Sequence, residues 1–163
     1  MNILSCHIEN YGKLSNVDYR FNEELTVFNY ENGSGKTTLS SFIKAMLYGL
    51  PSTKTNAKNF DHRQHFYPFD HSKFGGTVTI EHDSDEYRIE RFFDNKSATA
   101  DYVKVYKNGN IADGFGENIG KKLMGADEDI FIKTAFFNAE DISLCTPQGI
   151  EAYVNNYEEG TLA

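Results

Sequence analysis

The sequence predicts an α/β fold in which a central sheet carries one amphipathic helix and two hairpins form an antiparallel β subdomain. Three observations predict it. Leu25-Thr26-Val27-Phe28 runs through a glycine-rich turn into a segment where Leu39, Phe42, Ile43, Met46 and Leu47 recur at the i, i+3, i+4, i+7, i+8 spacing of one helical stripe. Residues 17–21, before it, alternate apolar and polar at the two-residue period of a half-buried strand. After it, two pairs of β-prone runs flank polar turns, Asp83-Ser84-Asp85-Glu86 and Lys107-Asn108-Gly109, the second carrying the Asn-Gly hairpin signal.

Taken in order, residues 2–8 read as a first strand and Asn10-Tyr11-Gly12-Lys13 as a turn. Val17–Phe21 is a second strand and Leu25–Phe28 a short, more buried third. The helix spans Gly35 or Lys36 to Tyr48, stopped by Gly49 and Pro51. Residues 51–74 have no periodicity and read as a long loop, a feature that in a compact domain tends to carry function. Thr77–His82 with Tyr87–Phe93, and Tyr102–Tyr106 with Asn110–Ala112, are the hairpins. Phe115–Met124 and Asp127–Thr134 read as helices, with Asp127 a candidate N-cap, and Gln148–Tyr157 as a last helix after Pro147.

Composition narrows the class. A chain of 163 residues with 39% hydrophobic and 14% aromatic residues suits one globular domain with its own core. It has no run of 18 apolar residues and no leader-like N-terminus, which predicts a cytoplasmic protein with no membrane partner. Cys6 and Cys145 lack any metal-ligand spacing and read as ordinary thiols. The net charge of −8 is uneven: residues 113–163 hold ten acidic and three basic side chains, so the front of the chain is nearly neutral. One stretch is locally basic, with Lys44, Lys54, Lys58, Arg63 and Lys73 set against Asp61 and Asp70 and interleaved with His62, His65 and His71.

The chemistry lies in the turn before the helix, Asn29-Tyr30-Glu31-Asn32-Gly33-Ser34-Gly35-Lys36-Thr37-Thr38. A strand entering Gly-x-Gly-Lys-Thr and leaving as a helix is the setting of a P-loop. Backbone N–H groups at a helix N-terminus can surround phosphate oxygens only where residues without a Cβ let the chain curl, and Gly33 and Gly35 meet that need. Lys36 is the catalytic and phosphate-binding cation, Thr37 the Mg²⁺ ligand, and Thr38 the contact on the α-phosphate side; Asn32 through Thr38 make up the nucleotide site. Position 30, where the GxxxxGK[ST] pattern has glycine, carries tyrosine, at the cost of strain if φ there is positive, or with its ring near the nucleotide.

These residues resemble a known family. The opening strand with Asn10-Tyr11-Gly12-Lys13-Leu14, the Asn32–Thr38 loop and the helix ending Met46-Leu47-Tyr48-Gly49-Leu50 look like the N-terminal half of SMC/SbcC/RecF-type ATPases, the ABC-like heads of DNA-repair and genome-maintenance machines. Tyr87-Arg88-Ile89-Glu90-Arg91 resembles that family's YxIxR hairpin strand. Thr134–Asp141 resembles its Q-loop segment, with Ala139 at the glutamine position and Asn138 and Glu140 beside it. The resemblance implies an α/β P-loop NTPase lobe, ABC/SMC head-like, using ATP and Mg²⁺. It implies four partners: a C-terminal half supplying the Walker B and signature motifs, a second head joined by ATP-dependent dimerisation, DNA, and a nuclease subunit. It also implies that the chain is a truncation or one piece of a split protein, inactive in hydrolysis alone.

Two functions stay open at this point: an ATPase completed by its other half, and a non-hydrolysing nucleotide-dependent interaction module, suggested by Tyr30 and Ala139. The resemblance also brings the 51–74 loop toward the nucleotide base, so Lys54, Lys58 or Arg63 is a candidate contact to ATP or DNA. His62-x-x-His65 without a cysteine partner is weak as a metal site. Asp127-Glu128-Asp129 is explained by the helix macrodipole.

Overall fold

The computed structural model describes residues 1–52, 61–69, 72–116 and 118–135. The chain divides into two units, Met1–Gly125 and Ala126–Ala163. Among the described residues of the first, the strands are β1 (Asn2–Tyr11), β2 (Leu14–Arg20), β3 (Gly75–His82), β4 (Asp85–Phe92), β5 (Tyr102–Lys107) and β6 (Asn110–Ile111). They form one sheet in the order β2-β1-β3-β4-β5-β6, with every neighbouring pair antiparallel. The helices of this unit are α1 (Lys36–Tyr48), α2 (His62–Phe66) and α3 (Ile119–Met124). The second unit is described through α4 (Glu128–Thr134), whose N-cap is Asp127 and whose first turn holds Glu128 and Asp129, favourable charges at a helix N-terminus.

Alternation along the strands gives the sheet one buried face. Cys6, Ile8 and Tyr11 of β1, Val78 and Ile80 of β3, Tyr87, Ile89 and Arg91 of β4 and Val105 of β5 are buried there. The α1 stripe, Leu39, Phe42, Ile43, Met46 and Leu47 together with Ala45, is buried as the spacing predicts, and α1 packs on β3 and β4. Tyr11 joins the layers: its ring stacks on Phe66 at 4.4 Å and meets Phe42 edge-on at 5.4 Å, while its hydroxyl hydrogen-bonds that of Ser41 at 3.2 Å. Gly120 of α3 admits α1 closely, since a Cβ there would lie 2.4 Å from the Tyr48 ring. Cys6 sits in this core, and burial pushes its thiol up to about 12, so it is inert at neutral pH.

Two guanidinium groups are buried with the apolar residues. Arg91, 1% exposed, donates from Nη1 to the carbonyls of Ala45 at 2.9 Å and Met46 at 3.0 Å. Arg63, fully buried, pairs with Asp101 at 2.7 Å and donates to the carbonyls of Leu50, Pro51 and Asp94.

Several expectations are corrected. Leu25–Phe28 is not a strand: no described strand lies alongside to accept its hydrogen bonds, and Leu25 and Val27 are 71% and 73% exposed. Only Phe28 packs, against Tyr19, Phe21 and Tyr30. The two hairpins continue the sheet that β1 and β2 begin, because β3 pairs with β1. The 51–74 loop contains α2, started by the Asp61 carboxylate accepting from the Gln64 amide at 3.1 Å. The helix expected from Phe115 begins at Ile119, β1 runs on to Tyr11, and β2 starts at Leu14. Both hairpin turns are two residues long with left-handed backbone, Asp83 and Ser84 at φ 52° and 66°, and Asn108 and Gly109 at 49° and 82°. The Gln148–Tyr157 helix and residues 136–142 of the Q-loop-like segment lie outside the described residues.

Removing the carboxylate from the buried pair leaves Arg63 uncompensated, and Asp101→Ala is expected to cost about 3–5 kcal/mol in denaturant unfolding. Across the β1–β2 pair, His7 bonds Asp18 at 2.9 Å, and along β1 it bonds Glu9 at 3.3 Å; its pKa is raised above the ordinary 6.5, first by the Asp18 bond. A raised folded-state value adds stability that is complete below the unfolded pKa and lost as pH climbs through the folded one. The melting-temperature gap between wild type and His7→Gln is therefore expected to be widest below the ordinary histidine pKa of 6.5 and to close as pH rises through the raised folded-state value.

Candidate nucleotide site

The loop from Tyr30 to Lys36 closes on itself before α1 begins. The Ser34 amide donates to the Glu31 carbonyl at 3.2 Å, and Gly33 and Gly35 take φ of 84° and 108°, a region costly for any residue with a Cβ. Gly35 is the N-cap of α1 and offers no side chain to the first-turn amides, and no acidic residue stands in that turn. The first turn of α1 therefore presents uncapped N–H groups at the positive end of the helix.

Lys36 folds back over the loop. Its Nζ donates to the Tyr30 carbonyl at 2.6 Å and the Glu31 carbonyl at 3.0 Å. An ammonium has three donors, so one remains for a ligand oxygen beside the uncapped amides. Lys36 and Thr37 are exposed, Thr38 half-buried, and the Thr37 hydroxyl has no hydrogen-bond partner among the described residues. The arrangement fits the group it implies: glycine curl, helix amides and ammonium suit a polyphosphate, and an exposed hydroxyl suits a hard cation.

Tyr30 does not strain the loop. It is absent from the non-glycine residues with positive φ, and its ring, 57% exposed, stacks on Phe28 with centroids 6.2 Å apart.

The chain belongs to the AAA domain family. Its sequence matches that family over residues 5–159, which takes in every element described above except the first three residues of β1. It is also 30% identical over 133 residues to the uncharacterized protein YhaN of Bacillus subtilis (strain 168). That match covers 80% of this chain and 12% of the relative, so the chain spans about an eighth of the relative's length. An AAA domain is a P-loop nucleotide-binding unit of the ATPase type, and nucleotide with Mg²⁺ is the general requirement of such a domain.

One neighbour of the site has no clear signal in the sequence. The β1–β2 turn presses on the loop, and a Cβ on Gly35 would lie 2.8 Å from Leu14 Cδ2 and 3.2 Å from Lys13 Cε. Lys13 is exposed and engages no described partner, a second cation at the loop of this AAA domain. Only the Gly-Lys of that turn hints at it, because a two-residue turn joining two strands needs no cation.

Other candidates are resolved differently. Arg63 is not a nucleotide or DNA contact, since its guanidinium is buried on Asp101 and backbone carbonyls. His62 and His65 lie against the Phe66 ring, and no group of three metal-ligating side chains exists among the described residues. Lys54, Lys58 and His71 lie outside the described residues. A groove of about 320 Å³, lined by Val103, Lys104, Ile111 and Phe115, holds no residue of the loop. No described helix is long and apolar enough to cross a membrane.

Gly35→Ala meets both an unfavourable φ and the Leu14 side chain, whereas a Cβ on Gly33 meets nothing within 4 Å. Both substitutions are expected to lower the melting temperature, with Gly35→Ala costing more than about 1 kcal/mol and Gly33→Ala less than Gly35→Ala. Equal losses would count against this loop geometry.

Proposed function

We propose that this chain is the ATP·Mg²⁺-binding N-terminal half of an SMC/SbcC-like ATPase acting in DNA repair, genome maintenance or defence. The observation that carries the reading is the Lys36 ammonium, fixed by the Tyr30 and Glu31 carbonyls at the uncapped N-terminus of α1. In this reading Asn32–Gly35 and the first amides of α1 surround the phosphates, and Lys36 neutralises the charge that develops on them. Thr37 holds Mg²⁺, Thr38 meets the α-phosphate side, and Lys13 adds a second cation. Bound ATP·Mg²⁺ supplies a phosphoanhydride bond whose hydrolysis can power a conformational change.

The described residues bring no carboxylate into hydrogen-bond or ion-pair contact with Thr37 or Lys36. Hydrolysis in this proposal needs a C-terminal half bearing that carboxylate and a second head bearing the signature, with DNA and a nuclease subunit as further partners. The relaxed backbone at Tyr30 supports ATP binding with the tyrosine in place. Ala139 at the Q-loop glutamine position favours a second reading, a nucleotide-dependent interaction module that does not hydrolyse.

Lys36→Ala is expected to weaken Mg²⁺-ATP binding by calorimetry about 10- to 100-fold or more, the worth of a charge-assisted bond to a phosphate. Unchanged affinity would remove the site assignment. Turnover measured with the C-terminal half added separates the two readings: a rate no higher than that of Lys36→Ala selects the interaction module.

A further inference from the structure

The phosphate loop occupies one end of α1, and the other end is held by β4. Arg91 is 1% exposed, yet its side chain packs against helix carbonyls: Nη1 donates to Ala45 at 2.9 Å and Met46 at 3.0 Å. Alternation puts Arg91 on the same buried face as Tyr87 and Ile89, where an apolar side chain could fill the space. The helix does not need it for its own closure, because the Ala45 carbonyl already accepts from the Gly49 amide at 2.8 Å. A cation buried there is stabilised by the negative end of the helix.

The chain leaving α1 is gripped in the same way. Arg63 binds the Leu50 and Pro51 carbonyls and the Asp101 carboxylate, and Asp101, just before β5, also accepts from the Asp94 amide at 2.8 Å. The exit of α1 is thus tied to β4 and to the segment that leads into β5, while its entry stands open to a ligand.

We propose that Arg91 is a positioning residue for the nucleotide site: by fixing the C-terminal end of α1 on β4 it sets where Lys36, Thr37 and Thr38 stand, and it passes displacement of α1 on phosphate binding to the paired strands β4 and β5. This inference rests on the reading of the loop as an ATP site. Linkage makes the coupling reciprocal, so losing the Arg91 contacts weakens ATP by the factor with which ATP strengthens them.

The test uses the full chain and Mg²⁺-ATP. Arg91→Met is expected to weaken binding about tenfold, within the usual range of coupling between sites, with far-UV circular dichroism unchanged. Arg91→Lys, which keeps a cation at the helix end, is expected to recover most of the loss. Arg88→Met is the control on the same strand: Arg88 pairs with Glu90 at 3.0 Å on the opposite face, and its loss leaves affinity unchanged. Wild-type affinity in Arg91→Met overturns the inference. If Arg91→Met does not fold, hydrogen exchange of the wild type decides. Protection by Mg²⁺-ATP at residues 33–38 and also at 87–92 and 103–106 supports the coupling. Protection confined to 33–38 overturns it while leaving the ATP site standing, and protection nowhere removes the site and the inference together.

Discussion

Helix α1 has one apolar stripe and one sheet face on which to bury it, and the rest of the first unit follows from that packing. Each large side chain of the stripe contributes about 1.5–3 kcal/mol when removed from water, so the rotation of the helix about its axis is not free. With Leu39, Phe42, Ile43, Met46 and Leu47 facing inward, Lys36 and Thr37 are left exposed at one end and the Ala45 and Met46 carbonyls are turned toward β4 at the other. Tyr11 reinforces the same geometry by meeting both Phe42 of α1 and Phe66 of α2 from β1.

The charges around α1 divide in an instructive way. At its C-terminal end, buried guanidinium groups satisfy carbonyls that carry partial negative charge, a placement favourable in the protein alone. At its N-terminal end, Lys36 and Lys13 add positive charge where the macrodipole is already positive. Loop carbonyls offset part of that penalty for Lys36, and an anion relieves the rest. The negative end is thus finished by the fold, and the positive end is left uncapped.

Features set by neighbours along the chain are legible in the sequence itself. The helix bounds Lys36–Tyr48, the left-handed glycines of the loop and the Asn108-Gly109 turn depend on residues a few positions apart. Where a partner far along the chain decides, the local pattern misleads. Leu25–Phe28 has the composition of a strand, yet a strand exists only when another one accepts its hydrogen bonds, and no described segment does. Arg63 has the look of a free cation in a basic loop because Asp101, 38 positions later, gives no local sign of itself. The alternation that places Arg91 on the buried face can be counted, but that face becomes the one against α1 only once β4 takes its place in the sheet.

The sequence by itself determined that a phosphate-binding loop opens an amphipathic helix and that hairpins follow, because turn conformation and helical periodicity are local properties. The tertiary structure alone decided that all six described strands share one antiparallel sheet, that Lys13 lies beside Gly35, and that two arginines are consumed in holding the far end of α1. Those outcomes rest on pairing and burial between distant segments, and the free energy of such contacts depends on which surfaces finally meet.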